Sequence, residues 1–82
     1  MAQPGVSGFF LERTGADGKV GTFFPARKGG FRPYFPLPAS QISYRRGFTT
    51  PRVPRKSIEA MRRISPNDTY RIFDATRGVY VD

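Results

Sequence analysis

The alternation of apolar and polar residues near the start of the chain predicts a β-hairpin over residues 8–24. From residue 9 to residue 14 (FFLERT) the side chains alternate, as expected for a strand whose successive side chains point to opposite faces. Residues 15–18 (GADG) then supply a turn that tolerates positive φ. Residues 20–24 (VGTFF) would return antiparallel, with aromatic residues on both arms available for cross-strand pairs.

A second pattern, dense in proline, predicts an extended arm over residues 25–56. Six of the eight prolines fall between residues 25 and 54, where they remove backbone donors and favour extended geometry in the preceding residues. The segment also carries more large apolar side chains than a spacer needs, so we expect it to become ordered against a partner. Within it, residues 41–50 favour one strand, which Gly47 would end or interrupt.

A short helix is predicted over residues 57–65. Ser57 is the expected N-cap residue, because its hydroxyl can accept a hydrogen bond from a free N–H group of the first turn. Ile58, Met61 and Ile64 recur at a spacing that predicts one apolar stripe.

The last part of the chain predicts a second hairpin over residues 69–81. Residues 66–68 (PND) are expected to end the helix, and residues 76–78 (TRG) to form the turn of the hairpin. Together these elements predict an α+β fold, in which two short hairpins and one short helix flank a long arm rich in proline, arginine and aromatic residues. No change in composition marks a second domain, so residues 1–82 are taken as one small domain.

The charge distribution changes this picture, because every charged residue in the middle of the chain is basic. Residues 18–58 contain nine Lys or Arg and no Asp or Glu, in a chain of net charge +8. A chain of this length buries only about 60% of the surface that its unfolded form exposes, so its core is small. The sequence has neither Cys nor His, which excludes disulfides and the usual zinc ligands as further stabilisation. We therefore expect counter-charge from a partner to stabilise the fold.

Catalysis is the function class that the composition disfavours most. Without His or Cys, the commonest general base and the thiolate nucleophile are missing. Asp68, Asp74 and Asp82 have no recognised metal-ligand spacing. Residues 15–19 (GADGK) lack the spacing, the Ser or Thr and the following helix of a phosphate-binding loop. We therefore predict a non-enzymatic protein with no catalytic residue, metal or cofactor.

Basic and aromatic residues interleave in the arm, and this arrangement is the candidate for partner binding. Arginine supplies eleven of the fourteen cations, and its planar guanidinium pairs well with carboxylates and with phosphates. Aromatic rings would bury apolar area on a protein or stack on unpaired bases. A solvated basic surface around core aromatics is the simpler alternative. The predicted partner-binding residues are Arg27, Lys28, Phe31, Arg32, Tyr34, Phe35, Tyr44, Arg45, Arg46, Phe48, Arg52, Arg55, Lys56, Arg62 and Arg63.

No stretch of the sequence suggests a membrane span or a secretion signal. The longest apolar runs are far shorter than the roughly 18 residues that a spanning helix needs. The first eight residues lack the basic start and apolar centre of a signal peptide. We expect the protein to lie inside a cell, in the cytoplasm or an organelle, or within a virion, and not to be secreted.

The second half of the chain resembles the small linker domains of phycobilisomes. The resemblance covers residues 48–54 (FTTPRVP), 59–64 (EAMRRI) and 70–74 (YRIFD), which follow that family's order of strand, Val-Pro, helix and strand. Residues 65–68 (SPND) stand where the family has paired glycines, and residues 25–41 have no counterpart. The resemblance implies a basic, cysteine-poor protein without enzymatic activity, which threads the central cavity of acidic light-harvesting rings, usually without a pigment of its own.

The leading hypothesis is a non-enzymatic structural or linker protein that docks its Arg- and aromatic-rich arm onto acidic protein surfaces in a large multi-subunit assembly. Burying an aromatic side chain contributes about 1.5–3 kcal/mol, against about 0–1 kcal/mol for an exposed ion pair. The aromatic rings should therefore supply most of the binding affinity, and the charges should guide the placement of the arm on its partner. The expected anchors are Phe31, Tyr34, Phe35 and Phe48. The alternative is a nucleic-acid-binding component of a ribosome, another ribonucleoprotein or a virion, in contact with RNA or DNA.

Overall fold

The computed structural model of the chain describes residues 5–25 and 34–81. This part of the chain contains seven β-strands, one 3₁₀ turn and one α-helix, which confirms the predicted α+β class. The strands are β1 (Val6–Ser7), β2 (Phe9–Thr14), β3 (Val20–Phe23), β4 (Tyr34–Phe35), β5 (Arg45–Arg46), β6 (Thr69–Asp74) and β7 (Val79–Tyr80). The 3₁₀ turn is Ala39–Gln41, and the helix α1 is Arg52–Ile64.

Five of the strands form one antiparallel sheet in the order β4-β3-β2-β6-β7. β2 and β3 form an N-terminal hairpin, and β6 and β7 form a C-terminal hairpin. The two hairpins are joined by β2 and β6, so that Leu11 lies between Phe23 on one side and Ile72 on the other. A separate parallel pair joins β1 and β5. β2 is therefore the central strand of the sheet.

One face of the sheet is covered by the segment that follows β4. Phe10 is fully buried there between Phe24 and Phe73, whose ring centroids lie 4.8 and 6.3 Å away. Ala39 of the 3₁₀ turn and Ile42 just after it are buried in the same cluster. The chain after β4 is thus part of the core.

The opposite face of the sheet is covered by α1. Leu11 and Ile72 are fully buried there, and Ile58 of the helix belongs to the same cluster. Tyr70 is buried beside them, and its hydroxyl donates a hydrogen bond to the carbonyl of Ser65 at 3.2 Å, just beyond the helix. A small apolar contact therefore fixes the helix on the sheet.

The helix begins at Arg52, earlier than the predicted start at Ser57. Pro51 is the N-cap residue, and Pro54 lies in the first turn, where backbone N–H groups have no acceptor within the helix. Proline is compatible with these positions, although it disfavours a helix interior, and this is why the predicted start is too late. The Ser57 hydroxyl is not a cap and donates a hydrogen bond to the carbonyl of Val53 at 3.1 Å.

The predicted apolar stripe of the helix is only partly buried. Ile58 is 3% exposed and Met61 packs at the edge of the core, but Ile64 is 84% exposed. Residues spaced by three in a helix of 3.6 residues per turn drift by about 60° at each step. Ile64 has therefore rotated away from the sheet, and Pro54 is buried on the inner side instead.

Residues 34–56 do not form the predicted extended arm. β4, the 3₁₀ turn and β5 hold the chain against the sheet, and α1 takes up residues 52–56. A continuous strand over residues 41–50 is absent, because Tyr44 has a φ of 60° and a left-handed residue cannot continue an extended strand. The first part of the predicted arm, residues 26–33, lies outside the described residues.

Candidate partner-binding surface

The outer side of α1 carries a dense group of cations. All five are exposed, whereas Pro54 and Ile58 face the sheet. The only carboxylate of the helix is Glu59, so five cations and one carboxylate give the helix a formal charge of +4. We call these cations the basic face, which consists of Arg52, Arg55, Lys56, Arg62 and Arg63.

The N-terminal half of the basic face opposes the helix dipole. Arg52 is the first helical residue, and Arg55 and Lys56 follow within the first turn and a half. A helix N-terminus carries partial positive charge, and the effect falls off within the first turn, so an exposed cation at Arg52 is unfavourable by about 0.3–1 kcal/mol. The first turn has no acidic residue, and the N-cap proline supplies no side-chain hydrogen bond. The helix dipole therefore does not account for a cation at the first helical position.

The carboxylate of Glu12 is buried and serves the fold. Its Oε1 accepts a hydrogen bond from the backbone N–H of Ala39 at 2.9 Å and another from the Tyr80 hydroxyl at 2.7 Å. Burial, reinforced by this hydrogen bond, raises the pKa of Tyr80 above its usual value. The guanidinium of Arg71 lies over the Tyr80 ring, 3.7 Å from its centroid. Glu12 therefore ties the segment after β4 to the sheet.

Three further carboxylates, in turns and at a strand end, make bonds within the fold. Asp68 pairs with Arg13, whose Nε lies 2.6 Å from Oδ2, and this hydrogen bond raises the pKa of the guanidinium. Asp17 and Asp74 accept hydrogen bonds from backbone N–H groups two and three residues further along the chain, at 3.0 and 3.1 Å. None of these three carboxylates lies in α1, whose only carboxylate is Glu59.

Two of the predicted aromatic anchors, Phe35 and Phe48, pack within the fold. Phe48 is only 8% exposed, and its backbone pairs with that of Phe9. Phe35 packs against the first core, where its ring centroid lies 5.5 Å from that of Phe24. The apolar area of Phe48 is thus used in folding and that of Phe35 is used in part, and their role as anchors stays a prediction.

A third predicted anchor, Tyr34, remains accessible at 47% exposure. It lines an open groove of about 360 Å³ together with Arg13 and Asp17. Lys19 also lines the groove, but Arg13 is bound to Asp68, and Asp17 is itself acidic. The groove therefore lacks the concentrated positive charge of the basic face.

A second exposed group is formed by Tyr44, Arg45 and Arg46, which we call the Tyr44 patch. Tyr44 is 80% exposed, and its left-handed backbone is unfavourable by about 1–2 kcal/mol for a residue other than glycine. The ring lies against Gly5, where a Cβ atom would be 2.7 Å from Cδ1. Arg45 stacks over the Phe35 ring, with its guanidinium carbon 4.7 Å from the centroid. The patch thus combines an accessible ring with two exposed arginines.

Four predicted partner-binding residues lie outside the described residues: Arg27, Lys28, Phe31 and Arg32. Sequence reasoning also missed two exposed apolar residues of α1, since Val53 was assigned to the arm and Ile64 to the buried stripe. They are 50% and 84% exposed. Their alignment with Ala60 is visible in the sequence only once the helix is known to begin at residue 52.

Within residues 5–25 and 34–81, no three Asp or Glu side chains lie close enough together to hold a metal ion. No helix in this part of the chain combines the length and the apolar character that crossing a membrane requires. Comparisons with models of protein families, with curated proteins and with solved structures gave no match. Fold and surface together define a small basic α+β domain with an exposed cationic helix.

Proposed function

We propose that this protein is a non-enzymatic structural or linker protein that docks onto an acidic protein surface within a larger assembly. The observation that carries the proposal is the basic face of α1, in which five exposed cations accompany a single carboxylate. Because Ile58 packs against the sheet, the cations are presented on a fixed element and not on a free arm. The proposed setting is the interior of a cell or of a virion.

The residue types of the basic face suit carboxylate partners. Four of its five members are arginine, whose guanidinium can pair with a carboxylate through two parallel hydrogen bonds. A bound acidic surface would also offset the unfavourable interaction of the N-terminal cations with the helix dipole. Each exposed ion pair contributes only about 0–1 kcal/mol, so several pairs must act together with apolar contacts.

A matched pair of lysine substitutions tests the proposal. Lys56→Glu and Lys19→Glu change the net charge equally, but Lys56 belongs to the basic face and Lys19 to the turn between β2 and β3. The tagged variants are purified from the native source after nuclease treatment, and the co-purifying proteins are quantified. Lys56→Glu should reduce the retained acidic proteins, and Lys19→Glu should not. Equal losses from both variants, or no retained protein at all, would contradict the proposal.

A nucleic-acid-binding structural protein is the second candidate, and the Tyr44 patch favours it. An exposed ring beside two arginines is suited to stack on an unpaired base while the cations contact phosphates. Titration with single-stranded RNA and DNA at several salt concentrations tests this function, because log affinity should fall linearly with log salt. Tyr44→Asn should weaken binding by about 1–3 kcal/mol. Asn tolerates the left-handed backbone, so the fold should be retained. A flat salt profile would exclude this candidate.

A further inference from the structure

We infer that α1 docks an acidic amphipathic helix of its protein partner along an exposed apolar seam formed by Val53, Ala60 and Ile64. The inference rests on the proposed function and specifies the kind of partner. All three residues are exposed, Val53 by 50% and Ile64 by 84%. Single exposed apolar residues are common on protein surfaces, but an aligned set beside a charged border is typical of interaction sites.

The seam follows the axis of the helix. Spacings of seven and four residues place the three side chains within about 40° of one another around the axis, over a length of about 16 Å. Such spacings are those of helix–helix seams, in which apolar residues recur about every 3.5 residues. Ala60 lies between the two larger side chains and is small enough to let another backbone approach closely. This geometry fits a partner helix better than a loop.

Charge complementarity specifies the polar residues of that partner. Arg52, Lys56 and Arg63 border the seam on one side, roughly 60–100° around the axis from its centre. The other border is formed by Ser57, which is half-buried. A partner helix with carboxylates along one border of its apolar stripe would therefore pair with these cations. A nucleic-acid backbone would contact the cations but would not cover the apolar seam, so the seam favours a protein.

The test uses the full chain and two synthetic acidic peptides of about 20 residues, long enough to form a helix. One peptide places Leu at helical seam positions with Glu along one border, and the other has the same composition in scrambled order. Binding is measured by titration at physiological ionic strength. The amphipathic peptide should bind at least about tenfold more tightly, because it alone can bury the seam.

Substitutions in the seam separate apolar contact from charge. The double variant Val53→Ser/Ile64→Ser keeps every cation and should reduce affinity for the amphipathic peptide by about tenfold or more, with no change for the scrambled peptide. Val79→Ser is the matched control, since Val79 is 42% exposed but lies in β7. Thermal unfolding of each variant shows whether the fold is retained.

The outcomes distinguish this inference from the proposed function. If both peptides bind equally and Lys56→Glu abolishes that binding, the inferred docking along the seam is overturned, while the proposed charge-based function stands. Unchanged binding of the amphipathic peptide by the folded seam variant would also overturn it. If neither peptide binds even at low salt, both the inference and the proposed function are overturned.

Discussion

Glu12 joins three separate parts of the chain through one buried oxygen atom. Its Oε1 accepts hydrogen bonds from Ala39 in the 3₁₀ turn and from Tyr80 in β7, while Glu12 itself lies in the central strand. Arg71 is its cross-strand neighbour in β6 and supplies the opposite charge. Leaving one of these buried polar groups without a partner would cost about 1–3 kcal/mol of stability.

Tyr80→Phe should make the stability less sensitive to alkaline solution. In the folded protein the pKa of Tyr80 is raised above its usual 10.0, so the protonated hydroxyl is favoured by folding. This contribution is fully present below the pKa of the unfolded chain and is lost as the pH rises through the folded-state pKa. As the pH is raised above 10.0, the wild type should therefore lose more unfolding free energy than Tyr80→Phe, as measured by denaturant titration.

Tyr44→Phe is the control for this experiment. It removes the same hydroxyl group from a side chain that is 80% exposed, so its alkaline response should match that of the wild type. Equal alkaline responses of the wild type and Tyr80→Phe would contradict a stabilising role for the half-buried Tyr80 hydroxyl.

At the scale of elements, β3 and β4 are locked together by a ring that lies over a glycine. A Cβ atom at Gly21 would overlap the phenol of Tyr34. The Tyr34 ring also packs on Phe23, with 4.6 Å between the ring centroids. Glycine weakens a strand because it has no side chain to pack, and here the Tyr34 ring from the neighbouring strand packs over the glycine.

Gly21→Ala should destabilise the wild type but not a Tyr34→Ala variant. In the wild type the added methyl group must displace the ring, which costs about 1–3 kcal/mol. In the Tyr34→Ala background the clash is absent, and Ala is favoured over Gly in a strand by about 0.5–1 kcal/mol, so the sign should reverse. Denaturant unfolding of the wild type, the two single variants and the double variant gives the coupling free energy between residues 21 and 34. Equal effects in both backgrounds would show that the ring does not restrict residue 21.

Arg52→Glu should make the protein more stable although it removes a cation of the basic face. Glu at the first helical position interacts favourably with the helix dipole, by about 0.3–1 kcal/mol. Arg63→Glu changes the net charge equally but lies in the last turn, so it should lower stability. Thermal unfolding compares the two variants. Shifts of the same sign would mean that net charge, and not the dipole, controls stability.

The helix shows which elements the sequence could predict and which it could not. The N-terminal hairpin has local signals, namely alternation over residues 9–14 and turn residues at 15–18. The start of α1 was missed because Pro51 and Pro54 disfavour a helix everywhere except in its first turn. The packing of the predicted arm depends on the bond between Glu12 and Ala39, which are 27 residues apart, and no local pattern reports it.

At the scale of the whole molecule, the positive charge was evident from the sequence but the accessible aromatic residues were not. Phe48 and Tyr44 are four residues apart in similar surroundings, yet one is 8% and the other 80% exposed. The difference arises because Phe48 pairs with Phe9 of the central strand, whereas Tyr44 lies in a left-handed turn. Charge is a property of composition, whereas exposure depends on tertiary contacts.

The net charge of +8 predicts that moderate salt stabilises the free protein. Repulsion among the cations opposes the compact state, and it is screened as the Debye length falls from about 30 Å at 0.01 M to about 8 Å at 0.15 M ionic strength. The melting temperature should therefore rise with NaCl over this range. The variant Lys19→Glu/Lys56→Glu has two cations replaced by two anions and should show a smaller rise. A melting temperature independent of salt would indicate that self-repulsion is negligible.

The pairing of β2 with β6 also constrains the order of events during synthesis. Phe9 lies opposite Asp74 in that pairing, so the central strand of the sheet must wait for residues made much later. Closing so large a loop is slow compared with forming either hairpin alone. A nascent chain on the ribosome would thus display its cationic middle, with the fold incomplete, until β6 has emerged from the exit tunnel.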